Sequence, residues 1–186
     1  MTAAALLRSL VAALDSAGVP FMLTGSLAAA FHGAGRATMA VDLVIDPTAP
    51  QLRALVRSLA GTGAYVSSET ADEALAHRST FNVVDTTSGW KVDLIVRKAR
   101  AFSETEFGRR QAADFEGCAL WVASVEDLMV AKLEWAKLGA SARQLEDVAA
   151  LLRIHAGRLD RAYLEHWIAE LGLTAQWDQV IGGARA

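Results

Sequence analysis

The stretch LTGSLAAAFHGAGRATMAVDLVID, Leu23 to Asp46, decides the fold. Its apolar start, beginning at Phe21-Met22-Leu23, reads as a short buried strand that stops at Gly25-Ser26. Ser26 then reads as the N-cap of a helix through LAAAFH, closed by Gly33 and Gly35. Arg36 and Thr38 lead into MAVDLVID, where strict alternation predicts a second strand. Val41, Leu43 and Ile45 share one face, and Ala40, Asp42, Val44 and Asp46 share the other. Pro47 ends it.

Outward from this unit, Leu6, Leu7, Leu10, Val11 and Leu14 fall at helical spacing and predict a core-covering N-terminal helix, broken by Gly18-Val19-Pro20. Residues 49–60 form a further amphipathic helix, Thr62 to Val66 a short strand, and SSETADEALAHRS a short helix or lid-like loop. STFNVVDT and GWKVDLIV read as a hairpin turning at Thr87-Ser88-Gly89, with Val92, Leu94 and Val96 alternating against Lys91, Asp93 and Ile95. Residues 103–110 look helical, and ADFEGCALWVA reads as a hairpin turning at Glu116-Gly117. From Ser124 the period is helical to the end. The expected architecture is a mixed α/β core over residues 1–122, with a helical C-terminal third over 123–186 packed on it as one continuous unit.

Composition bounds the function classes. With 186 residues, 53% hydrophobic and 21% charged, and three prolines, the chain can bury a core and is not of a disordered type. A formal charge of −3 supplies no global attraction to nucleic acid or to an anionic membrane. The one cysteine, Cys118, has no disulfide or zinc partner, which fits a reducing cytoplasm. The apolar start lacks a basic leader and is interrupted by Arg8 and Asp15, so it reads as a helix rather than a signal or a membrane span. His32, His77, His155 and His166 lack metal-ligand spacing, and neither Ser26 nor Cys118 has a triad setting.

The polar face of the strands carries the chemistry. A Gly-Ser turn opening a helix presents backbone N–H groups to phosphate. Carboxylates converging from neighbouring strands can hold Mg²⁺ between a triphosphate and an attacking hydroxyl. Asp42 and Asp93, each on the polar face of an apolar strand, are candidates for such a pair.

The succession Gly25-Ser26, Arg36-x-Thr38, Asp42, Asp93 in WKVDLIV, then SVEDLMVAKLEWAK and RQLEDVAALL, resembles the nucleotidyltransferase superfamily of the DNA polymerase beta type. It is most similar to the branch of small bacterial proteins that includes AbiEii-type toxins. The resemblance covers about residues 20 to 153. It implies a nucleotidyltransferase-like mixed sheet flanked by helices, and transfer of NMP from an NTP to a hydroxyl acceptor with Mg²⁺ as cofactor. By position, Asp42 and Asp93 match the second and third metal-binding aspartates of the family, while the first falls on Ala40. A methyl group neither coordinates a cation nor accepts a proton. Asp46 lies about 13 Å from Asp42 along an ideal strand, too far to share its ion.

Three readings of Ala40 stay open: a site reduced to nucleotide binding or a structural role, a weakened enzyme with two carboxylates, and an introduced change from Asp. The resemblance also implies phosphate contacts for Gly25, Ser26, Arg36, Thr38 and Lys132. For Lys132 the competing reading is a lysine snorkelling to solvent, as expected for Lys137. Glu146 and Asp147 read as helix N-terminal charges, the run Arg97 to Arg100 with Arg109 and Arg110 as a solvated surface, and the five tryptophans as dispersed anchors. The implied partners are an NTP and an acceptor that is an RNA end, a protein or a small hydroxylated molecule, with no membrane. The opposing reading is a non-catalytic nucleotide-binding or protein-interaction module, such as one half of a toxin–antitoxin pair.

Overall fold

A computed structural model describes residues 3–35, 37–62, 64–86 and 88–183. Among them, alternating apolar segments build a seven-stranded mixed sheet, and the 3.6-residue periodicities give nine helices. The α-carbon contacts divide the chain into two compact units, Met1–Leu27 with Ala37–Ala123, and Ala28–Arg36 with Ser124–Ala186.

The first unit carries the sheet. Helix α1 (Ala3–Ser16) leads into β1 (Phe21–Thr24), then α2 (Gly25–Phe31), whose first turn belongs to this unit, and β2 (Ala40–Ile45). There follow α3 (Ala49–Ala60), β3 (Ala64–Val66), α4 (Ser68–His77), β4 (Thr80–Asp85), β5 (Lys91–Val96), α5 (Ala101–Gly108), β6 (Gln111–Phe115) and β7 (Cys118–Val122). The strand order is β3-β4-β5-β2-β1-β7-β6. The β2–β5 and β1–β7 pairs are parallel and the other four antiparallel. Both expected hairpins form, and Glu116 and Gly117 turn the second with positive φ angles of 51° and 77°. The stretch left open between lid and helix is the regular helix α4, with Ser67 accepting a hydrogen bond from the Thr70 N–H at its start.

The apolar set of β2 packs as its alternation requires. Val41, Leu43 and Ile45 are fully buried and pair in register with Val92, Leu94 and Val96 of β5. Leu6 and Leu10 of α1 and Leu59 of α3 line, with Val83 and Val92, one cavity of about 140 Å³, so these helices cover that face. Burying such a row of aliphatic side chains stabilises the core by roughly 1.5–3 kcal/mol per residue. The opposite face holds the acidic residues.

The second unit contains α6 (Val125–Gly139), α7 (Ala142–His155), α8 (Arg161–Glu170) and α9 (Thr174–Gly183). The Ser124 hydroxyl accepts from the Asp127 N–H at the start of α6, and the Asp160 carboxylate from the Tyr163 N–H at the start of α8. Lys137 is exposed, as expected of a snorkelling lysine. Its ammonium donates to the Leu171 and Gly172 carbonyls at 3.2 and 3.1 Å, where the dipole of α8 favours a cation. The His155 ring Nε2 lies 2.8 Å from the His32 carbonyl, tying the segment after α2 to α7. No helix among the described residues is long and apolar enough to cross a membrane.

Candidate nucleotide and metal site

The register of three strands assembles the site. Thr24 of β1 stands opposite Asp42 of β2, Asp42 is aligned with Asp93 of β5, and Asp93 with Asn82 of β4. Register partners project their side chains on one face, and adjacent strands lie about 4.8 Å apart. The two carboxylates separated by 50 residues of sequence therefore stand side by side. Both are partly exposed.

The turn after β1 closes over Asp42. Gly25 has φ +67°, a left-handed conformation that a side chain disfavours, and a Cβ there would come within 2.6 Å of Asp42 Cγ. The backbone at the start of α2 thus approaches the carboxylate as closely as glycine allows. Helix α2 begins at Gly25, two residues before the sequence places it. Ser26 consequently lies buried within the first turn and is not the cap.

Asp93 is held by its neighbours on the same face. The Asn82 side-chain amide donates to Oδ1, and the Lys91 ammonium lies 3.0 Å from Oδ1 and 3.3 Å from Oδ2. These contacts offset the repulsion that two carboxylates in register impose on each other. Lys91 is itself the register partner of Ala40. An aspartate at position 40 would project beside Lys91, on the face of Asp42. Among the described residues no three His, Cys, Asp or Glu side chains come together as a metal-binding group.

The donor set fits one hard divalent ion. Two oxygen ligands from carboxylates suffice for Mg²⁺ when water and phosphate complete its shell, and the Lys91 ammonium already marks a cation position at Asp93.

The remaining expected site residues divide. The Thr38 hydroxyl accepts from the Ala40 N–H at 3.1 Å and so fixes the start of β2. Arg36 lies outside the described residues. Lys132 belongs to the second unit, where it is 2% exposed, with its ammonium 2.7 Å from Asp147 Oδ2 and 3.1 Å from Gln144 Oε1. It does not snorkel, and Asp147 is a buried ion-pair partner rather than a solvated helix charge. Asp46, rejected as a metal ligand, pairs with Arg97 at 3.0 Å. Arg110 stacks on Phe107 and Trp121, and Arg100 donates to Ser103, so these guanidiniums serve the fold.

Sequence reading passed over Lys91 and Asn82. The signal is legible for Lys91, since period two in WKVDLIV places it on the face of Asp93, whereas Asn82 needs the hairpin register.

No protein-family model matches the chain, and none of the curated proteins does. Solved structures match over nearly its whole length. One is the solution structure of the antibiotic-resistance factor ANT(2'')-Ia, with a TM-score of 0.62 at 14% identity, covering 97% of this chain and 96% of that one. Another is the crystal structure of ANT(2'')-Ia in complex with adenylyl-2''-tobramycin, also at 0.62, with 15% identity and coverage of 95% and 99%. A third is an antigenic nucleotidyltransferase-like protein from Paracoccidioides brasiliensis, at 0.52, with 16% identity and coverage of 92% and 90%. At these identities the likeness is one of fold: the chain has a mixed α/β, nucleotidyltransferase-like fold.

Proposed function

We propose that this chain is a nucleotide-binding protein of nucleotidyltransferase descent. Its chemistry is transfer of a nucleoside monophosphate from an NTP to a hydroxyl acceptor, weakened by Ala40. The observation that carries this reading is the alignment of Asp42 with Asp93 beneath the Gly25 turn, in a fold shared with nucleotidyltransferases. Asp42 and Asp93 would hold one Mg²⁺, which when bound supplies neutralisation of triphosphate charge. The backbone at Gly25-Ser26 offers N–H groups to the phosphates, and Thr38 supports the site by fixing the start of β2. Asn82 orients the Asp93 carboxylate. Catalysis of this kind rests on positioning and charge stabilisation rather than on a covalent nucleophile.

The acceptor is proposed as a small hydroxylated compound. One structural neighbour holds adenylylated tobramycin, and the chain's net charge of −3 does not favour an RNA end. A cytoplasmic location accords with the lone cysteine.

Ala40 favours a second reading, a non-catalytic module that retains nucleotide binding or serves as a partner in a toxin–antitoxin pair, as the AbiEii-like sequence character implies. Calorimetric titration with each NTP, with and without Mg²⁺, tests the site. Binding that requires the metal and weakens in Asp42→Asn and Asp93→Asn supports it, and no binding of any NTP refutes it. A nucleotidyl-transfer assay on the native chain and Ala40→Asp then separates the readings. Turnover restored by Ala40→Asp supports the enzyme lineage, and silence from both supports the module.

A further inference from the structure

We propose that Lys91 is a displaceable counter-ion of the site: it occupies Asp93 when no metal is bound, and metal binding releases its ammonium to engage the nucleotide's phosphates. This rests on the reading of Asp42 and Asp93 as a metal and nucleotide site. Four observations carry it.

Lys91 approaches both oxygens of Asp93, at 3.0 and 3.3 Å, so its ammonium lies where a cation bound to that carboxylate would compete with it. Its neighbour across the strand pair is Ala40, which offers no second carboxylate to hold it. The Lys91 side chain is 51% exposed and that of Asp93 22%, and an ion pair so open to water is weak enough to be displaced. Asn82 keeps its hydrogen bond to Asp93, so the carboxylate stays oriented when the lysine leaves.

The charge balance gives the direction. Two aligned carboxylates repel each other, and one cation on the same face relieves that repulsion. Where a divalent ion is held between them, an ammonium at Asp93 becomes a competitor. Lysine suits the exchange, because its charge is a point on a flexible four-carbon stem and reaches a phosphate from the same backbone position. Removing the ammonium therefore tightens metal binding in the absence of nucleotide and weakens nucleotide binding when the metal site is filled. A purely structural lysine moves neither, and a simple phosphate-binding lysine moves only the second.

The test measures Mn²⁺ binding without nucleotide, by the electron paramagnetic resonance signal of the free ion, and ATP binding at saturating Mg²⁺, by calorimetry. It uses the native chain, Lys91→Met, Lys91→Arg and Asp93→Asn. Lys91→Met is expected to bind Mn²⁺ about two- to fivefold more tightly, the range an exposed ion pair supports, and ATP at saturating Mg²⁺ more weakly by a similar factor. Lys91→Arg is expected to stay near the native values in both. If Asp93→Asn loses Mn²⁺ while Lys91→Met leaves either affinity unchanged, the counter-ion role is overturned and the metal site stands. If neither the native chain nor any variant binds Mn²⁺ or ATP, the site reading fails and the proposal falls with it.

Discussion

Gly25 and Asp42 occupy space that only a glycine can share: a Cβ on the former would sit 2.6 Å from Cγ of the latter, at a backbone φ of +67°. Gly25→Ala should therefore lose stability twice over, by left-handed strain of about 1–2 kcal/mol and by displacing the Asp42 carboxylate. Urea denaturation should show a total loss of about 2–4 kcal/mol. The double variant Gly25→Ala/Asp42→Ala should be less destabilised than the sum of its singles, because the carboxylate is then gone and only the residue 42 Cβ, at 2.8 Å, still clashes. A single variant as stable as the native chain would remove the close packing from the account.

Ala40→Asp should put a third carboxylate on the face of Asp42, beside Lys91. Without metal the crowding of like charge should lower stability by about 0.2–1 kcal/mol. With Mg²⁺ the sign should reverse, because an ion that binds only the folded state stabilises it in proportion to its affinity. Thermal unfolding with and without Mg²⁺ reads both effects. An equal metal-dependent shift in the native chain and in Ala40→Asp would mean that position 40 does not face the ion.

The two carboxylates illustrate what the sequence makes legible. Alternation in MAVDLVID and WKVDLIV assigns Asp42 and Asp93 to polar strand faces, because a pleated strand has a side-chain period of two. Their adjacency is a matter of register between β2 and β5, which are separated by α3, β3, α4 and β4. Local pattern does not set a register that distant, and the resemblance to a family supplied the pairing instead. The helical period of the second unit is legible from Ser124 onward, and α6 opens it at Val125. The partner of Lys132 was not, because a lysine on an apolar helix face gives no sign of whether it reaches solvent, phosphate or a buried carboxylate. Asp147, 15 residues on, is that carboxylate.

The Lys132–Asp147 pair yields a test of its own. Both side chains are nearly inaccessible, at 2% and 8%, so removing one leaves the other charged and buried without its counter-ion. Lys132→Met should destabilise by about 3–5 kcal/mol, whereas Lys132→Met/Asp147→Leu should recover most of that loss, since an apolar pair of similar volume often replaces a buried ion pair without penalty. Urea denaturation of the three variants decides the point. A single variant within about 1 kcal/mol of native would contradict the buried pair.

Cys118 begins β7 and is 4% exposed. Burial pushes its thiol pKa up, and the attraction of Arg8 only partly opposes this, while Asp114 and Asp15 raise it further. The thiolate is the reactive form, so at pH 8 the native chain should hold a smaller reactive fraction than an unfolded one and should shield it from reagent as well. A disulfide-exchange reagent such as DTNB should therefore label native Cys118 far more slowly than the urea-unfolded chain. Over the pH range from 7 to 9 the native rate should track local opening of the β6–β7 hairpin, and low concentrations of urea should accelerate it. Native labelling as fast as that of the unfolded chain would mean that β7 does not shield its first residue.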